Sequence, residues 1–297
     1  MLFRTFAEGD LDSVLSRLDD PERFAAFLKT GNYRPAWTWL AVDGEEIKAV
    51  AVWWGFPTSE RPLALDTLYA SSDVADPAAV WAALIRQMPP PFEYHQFTLP
   101  GGENDPDVRL RLAAAEAAGL NSVNERLRYQ WTADDPLPRR STRLTFAPEP
   151  DDEAYAKVFA LISTGSLDVA TREGVARLGA HENAREEVAL YRQMRGPRDR
   201  WRLAHDRHGR LVGCALPSAN DGGPVVGFLG VVPDQRGHRY ADDLLAEITH
   251  LLTEEGATTI RADTDKTNTP MANSFNRSGY HIFATRIVAT MPPDTQS

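Results

Sequence analysis

Gly230-Val231-Val232-Pro233-Asp234-Gln235-Arg236-Gly237-His238-Arg239-Tyr240-Ala241 is the stretch on which the fold turns. An apolar strand stops at Pro233, a polar turn follows, and a helix begins at once. The first N–H groups of that helix have no internal partners, and its dipole adds partial positive charge there. Such an end holds a phosphate or pyrophosphate. Gly237 lets the backbone approach a ligand closely. Arg236, Arg239 and His238 offer donors suited to phosphate oxygens, and Tyr240 and Ala241 are flat or small enough to leave the helix entry open.

Outward from this loop, the second half reads as alternating strands and helices. Strands are predicted at 144–147, 201–205, 211–216, 225–232, 259–264 and 281–290, rich in β-branched and large apolar residues and bounded by Gly, Pro or Asp. Helices are predicted at 153–162 and 240–254. In the latter, Leu244, Leu245, Ile248, Leu251 and Leu252 recur at helical spacing and Gly256 follows its end.

The first half repeats this order. Thr5-Phe6-Ala7 returns as Thr145-Phe146-Ala147, Leu40-Ala41-x-Asp43 as Leu203-Ala204-x-Asp206, and Gly119-Leu120 as Gly279-Tyr280, with Arg126 and Arg286 equally far beyond. Three matches in one order predict a duplicated fold. The polar, proline-rich stretch 133–141 reads as a linker, giving domains at 1–132 and 142–297. In the first copy, Leu68-Tyr69-Ala70-Ser71-Ser72-Asp73-Val74-Ala75-Asp76-Pro77 replaces the loop. It lacks Gly and Arg, and its two aspartates repel phosphate. Trp37, Trp39, Trp53 and Trp54 are core residues or cleft-lining ones.

Composition excludes several classes. The chain has 297 residues, 42% hydrophobic and 25% charged, with a net charge of −10. That balance argues against nucleic-acid binding. Cys214 is the only cysteine, so an intrachain disulfide or a thiolate zinc cluster is ruled out. His205 and His208 flank a hairpin turn without a third ligand, and no metal is expected. There is no apolar window of the ~18–20 residues needed for a membrane span, and no signal-peptide pattern, so no membrane partner and a cytoplasmic location are expected. Nucleophile-elbow, Walker and His-Glu-x-x-His motifs are lacking.

The loop resembles the acyl-CoA loop of the GNAT superfamily of N-acetyltransferases: Arg or Gln, two residues, Gly, one residue, then Gly or Ala. Arg236 and Ala241 fit, but Arg239 stands at the middle glycine. Arginine does not share glycine's backbone freedom, so either the loop geometry is ordinary or Arg239 itself meets the phosphates. A second unit follows: Asp263-Thr264-Asp265 closes a strand, Asn268-Thr269-Pro270-Met271 opens a helix, and Phe275-Asn276-Arg277-Ser278-Gly279-Tyr280 ends it. This resembles the family's closing helix. The whole is similar to tandem-GNAT proteins, which implies a mixed α/β fold of the α+β type: two GNAT-like domains, each a mostly antiparallel sheet flanked by helices.

The resemblance implies direct attack of a small-molecule primary amine on the thioester of acetyl-CoA, without a metal. The Leu229 N–H would polarise the carbonyl, and Val231 and Val232 would run beside pantetheine. Arg236, Gly237, His238, Arg239, Tyr240 and Ala241 would hold the pyrophosphate, with Asn268 and Phe275 also beside the cofactor. Two usual catalytic positions differ, with Val225 for a carboxylate and Phe275 for a tyrosine. Asp263, Asp265 and Asp168 are then the candidate bases. Asn268 also suits an N-cap, and 163–168 suits either a substrate rim or a plain loop. Alternatives are a non-catalytic acyl-CoA-binding module, or transfer to a protein or peptide amine. A monomer or homodimer is expected.

Overall fold

The structure is a computed structural model and describes residues 1–292. Its elements form two compact units, Met1–Glu125 together with the segment from Thr285, and Arg126–Ala284. The first contains β1 (Leu2–Thr5), α1 (Leu11–Leu15), α2 (Pro21–Thr30), β2 (Thr38–Asp43), β3 (Glu46–Trp54), β4 (Ala64–Ala70), α3 (Pro77–Ile85), β5 (Glu93–Thr98) and α4 (Pro106–Ala117). After β6 (Ser122–Thr132), the second contains β7 (Leu144–Ala147), α5 (Asp152–Ser163), α6 (Val169–Leu178), α7 (Ala180–Gln193), β8 (Arg202–Asp206), β9 (Leu211–Asn220), β10 (Gly223–Val231), α8 (Tyr240–Glu254), β11 (Thr259–Asp265) and α9 (Thr269–Arg277). The last strand is β12 (His281–Thr290).

In each unit four antiparallel strands lead to one parallel step and end on an antiparallel strand. The first unit runs β1-β2-β3-β4-β5-β12, the second β7-β8-β9-β10-β11-β6. Helices cover both faces. In the second unit α8 and α9 bury Leu244, Leu245, Ile248, Leu252 and Phe275 on one side. Tyr155, Phe159 and Val188 of α5 and α7 pack on the other, against Cys214, Leu216 and Phe228. The first unit has the same two cores, and Trp37, Trp39, Trp53 and Trp54 all pack into them.

Local chemistry sets the helix starts. Asp20-Pro21, Asp76-Pro77 and Asp105-Pro106 each place an N-cap carboxylate before a proline in the first helical position, where no N–H is needed. The two copies end their last helices identically. Gly119 and Gly279 take positive φ (100° and 83°), while Leu120 N donates to Ala115 O and Tyr280 N to Phe275 O. That is a Schellman closure in both. The Thr-Phe-Ala repeat is not equivalent in register, however. Leu40 faces Arg4 and Leu203 faces Ala147, so with those leucines aligned the triplets fall out of step.

The domain boundary differs from the linker reading. Residues 126–132 of β6 pair with β11 and belong to the second unit, whereas 285–289 of β12 pair with β5 and belong to the first. Strand pairing outweighs sequence proximity, because each sheet is completed by the strand that follows the other copy's last helix. Segment 133–141 contains neither helix nor strand, but it is held onto the second unit. Trp131 Nε1 donates to Pro136 O (3.2 Å), and His250 Nε2 bonds Pro138 O (2.8 Å).

Candidate active site

The parallel step in the second unit is brief. β10 and β11 pair at Val225 with Arg261, and β10 continues to Val231 paired only with β9 among the described residues. The strands therefore splay. A register shift between Val226 and Phe228 sits just before the opening, at Gly227, where a Cβ would come within 2.8 Å of Leu216 O. Val232 N donates to Val212 O (2.9 Å). By antiparallel alternation Phe228 and Gly230 also bond toward β9, so the N–H and C=O of Leu229 and Val231 turn into the splay.

Past Val231 the chain makes the polar turn. Gly237 has φ 83°, and Arg239 has φ 58° and ψ 27°, the left-handed region. It is the only non-glycine residue with positive φ among the described residues. From the sequence, residue 239 sits either in an ordinary loop or in direct contact with phosphate. The first alternative is corrected here: the glycine-type geometry is kept, with arginine forced into it at roughly 1–2 kcal/mol. Such strain is characteristic of functional loops. Arg239 is the N-cap of α8 but makes no side-chain cap bond. The N–H groups of 237–241 find no acceptor among the described residues.

Neighbouring acids leave that end open. Asp242 receives a two-pronged bond from Arg277 (2.8 and 2.7 Å) and one from Ser274 (2.7 Å). Burial opposes its charge, but Arg277 and Ser274 outweigh that and hold its pKa low. Asp243 pairs with Arg143, which also donates to His238 O (3.1 Å) and lies 4.8 Å from the Tyr240 ring centroid. The equivalent end in the first unit is closed, since Asp76 accepts the Ala79 N–H at 3.0 Å and Asp73 pairs with Lys48.

Arg236 points away from the turn. Its Nε donates to Val231 O (3.2 Å), its Nη1 to Thr164 O (2.7 Å) and Gly165 O (3.4 Å), and its Nη2 to Ile162 O (2.7 Å). It fastens the loop to the C-terminal end of α5, where a cation suits free carbonyls. Asn268 caps α9, its Oδ1 accepting Met271 N at 3.4 Å. Phe275 is buried, with its ring stacked 4.7 Å from that of Tyr129.

The three candidate carboxylates meet on one cation. Arg126 of β6 donates to Asp263 (3.0 and 2.8 Å), Asp168 (3.0 Å) and Asp265 (2.5 Å). Asp265 also accepts Val169 N (2.6 Å), and Asp168 caps α6 through Thr171 N (2.9 Å). Burial works against the charge of Arg126, but the three carboxylates outweigh it and raise its pKa. These acids are thus joined to a permanent cation.

Sequence reasoning missed Arg126's role and also Glu187. On α7, Glu187 Oε1 accepts Asn183 Nδ2 (3.0 Å) and Thr171 Oγ1 (3.4 Å), and burial pushes its carboxyl up. Its available signal was the polar-aromatic row Asn183, Glu187, Tyr191 at one-turn spacing, beside the buried Ala184 and Val188.

The turn and the open helix end lie within a stretch that is similar to a known family. Residues 168–280 match the acetyltransferase (GNAT) family model. The matched stretch lies wholly within the second unit. A GCN5-related N-acetyltransferase from Sphaerobacter thermophilus is similar at 17% identity over 98% of this chain and 96% of its own, with a TM-score of 0.60. A tandem GNAT protein from the clavulanic acid biosynthesis pathway is similar at 16% identity over 99% of each chain, TM-score 0.56. These likenesses give the fold across both units. No curated protein matches by sequence. Among the described residues no helix is long and apolar enough to cross a membrane, and no His, Cys, Asp and Glu group is arranged to hold a metal.

Proposed function

We propose that the chain transfers an acetyl group from acetyl-CoA to a small-molecule primary amine, at one working site in the second GNAT unit. The observation that carries this reading is the contrast between two helix ends. The start of α8 is open, with the acids of its first turn paired to Arg277 and Arg143. The start of α3 is filled by Asp76. An open N-terminus with free N–H groups suits pyrophosphate.

Pyrophosphate in the turn 236–241 directs the pantetheine arm along β10. The N–H of Val231 faces that path, while its carbonyl is taken by Arg236. In this reading the Leu229 N–H donates to the thioester oxygen as charge develops there, and so favours attack. With Phe275 in the core in place of a tyrosine, the departing thiolate takes its proton from water; at a pKa near 8–9 it leaves without a protein acid.

Val225 and Phe275 are also what a non-catalytic acyl-CoA-binding module would carry at those positions. The test is release of CoA thiol from acetyl-CoA across a panel of amines, with product masses. Amine-dependent release supports the enzyme. Tight acetyl-CoA binding with no release from any amine, peptide N-termini included, supports the binding module instead.

A further inference from the structure

We infer that the acceptor is a protonated primary amine and that Glu187 is the general base that deprotonates it; this rests on the acetyltransfer reading above. The position of Glu187 comes from its neighbours. One helical turn on, Tyr191 lies with its ring centroid 5.7 Å from that of Phe228, the residue before Leu229. Cys214, within electrostatic reach of Glu187, faces Gly230, the residue after Leu229. Glu187 is thus placed beside the strand segment whose N–H groups face the splay.

Its carboxylate has one oxygen to spare. Both hydrogen bonds fall on Oε1, and Oε2 takes none among the described residues yet is not a sealed polar atom. Asp168, Asp263 and Asp265 differ, each sharing Arg126. Three carboxylates on one guanidinium leave that face net acidic, which favours a cationic acceptor.

Other charged or titratable groups near Glu187 are Asp168 at the start of α6, Tyr191 along α7 and Cys214 on β9. Arg126 and Asp263 reach Tyr191. On the flank of α7 toward α5, Arg185 and His181 are held by Glu153. No cation among these is paired with Glu187, so its carboxyl stays above the ordinary glutamate range.

The step balances simply. The ammonium gives one proton to Glu187 Oε2, and the neutral nitrogen forms the C–N bond at the thioester carbon. The C–S bond breaks and the sulfur keeps the electron pair. The second nitrogen proton passes through water to the thiolate, one hydrogen stays on the amide, and Glu187 returns its proton to solvent.

The experiment uses the full chain with acetyl-CoA and the amine giving the fastest thiol release. For the parent, kcat/KM should rise with pH along a limb above the ordinary glutamate range. Glu187→Gln should abolish that limb and cut kcat by roughly 10²–10⁴-fold, with the Kd for acetyl-CoA unchanged. Thr171→Val removes a bond to the charged form, so it should keep activity and move the limb to higher pH; this variant serves if Glu187→Gln fails to fold. An active parent whose profile survives Glu187→Gln, or does not move with Thr171→Val, overturns the assignment of Glu187 alone. A parent that neither binds acetyl-CoA nor releases thiol overturns the acetyltransfer reading itself.

Discussion

The guanidinium of Arg126 lies 2.5 Å from the carboxylate of Asp265, whose side chain is 0% exposed. Arg126 itself is only 15% exposed, and it also binds Asp263 and Asp168. One side chain therefore ties β6, β11 and the start of α6 together. Arg126→Met should destabilise the second unit by roughly 3–5 kcal/mol, because it leaves the buried Asp265 carboxylate without its cation. Arg126→Lys should recover only part of this, as an ammonium cannot fork among three acids. Urea unfolding of both variants is the measurement, and equal stability of parent and Arg126→Met would refute the linkage.

Arg239 holds a left-handed conformation, φ 58°. Arg239→Gly should relieve roughly 1–2 kcal/mol of backbone strain, offset by about 0.5–1 kcal/mol of added chain entropy. A small net gain in thermal stability is expected. Arg239→Ala keeps the strain and removes the guanidinium, so it should leave stability near that of the parent while weakening acetyl-CoA. A lower Tm for the glycine variant would show that Arg239 makes contacts worth more than the strain it stores.

Arg236 donates to the carbonyls of Ile162, Thr164 and Gly165. Arg236→Ala should loosen the α5–α6 junction by about 1 kcal/mol, seen as several-fold faster amide exchange at Thr164 and Ser166. Unchanged exchange there would mean the latch holds nothing.

Asp206 closes the β8–β9 hairpin. Burial opposes its charge, but the N–H groups of Arg210 and His208 and the Arg210 guanidinium outweigh it, bringing its pKa down to about 2. A lowered folded-state pKa means the ionised form stabilises the fold. That stability is present above the unfolded value of about 4 and is lost as pH falls through about 2. Asp206→Asn should therefore flatten the acid limb of an unfolding curve in that window and leave its neutral end shifted down. Superimposable acid limbs would contradict the hydrogen-bond pattern.

The working loop was legible because its signals are local: an apolar strand, Pro233, a Gly237 turn and an amphipathic α8 each declare themselves within a few residues. The duplication was legible at Gly119 and Gly279 for the same reason, since a left-handed cap has a glycine signature. Arg239 was not, because arginine carries no signal for left-handed backbone, and only the surrounding turn imposes it. Arg126 was hidden by topology. It stands in the first half of the sequence, and only the pairing of β6 with β11 delivers it to Asp263 and Asp265. The same pairing moved the domain boundary away from 133–141, whose prolines report a lack of regular structure rather than a lack of contact. Glu187 was overlooked because a Glu on a charged helix reads as solvated until the packing of α7 turns it inward.

The most direct test is calorimetric titration of the full chain with acetyl-CoA at low and raised salt. One molecule per chain, bound more weakly as salt rises, is expected from a single open helix end at Tyr240 and a closed one at Pro77. Absence of binding, or two molecules per chain, would contradict the single working site.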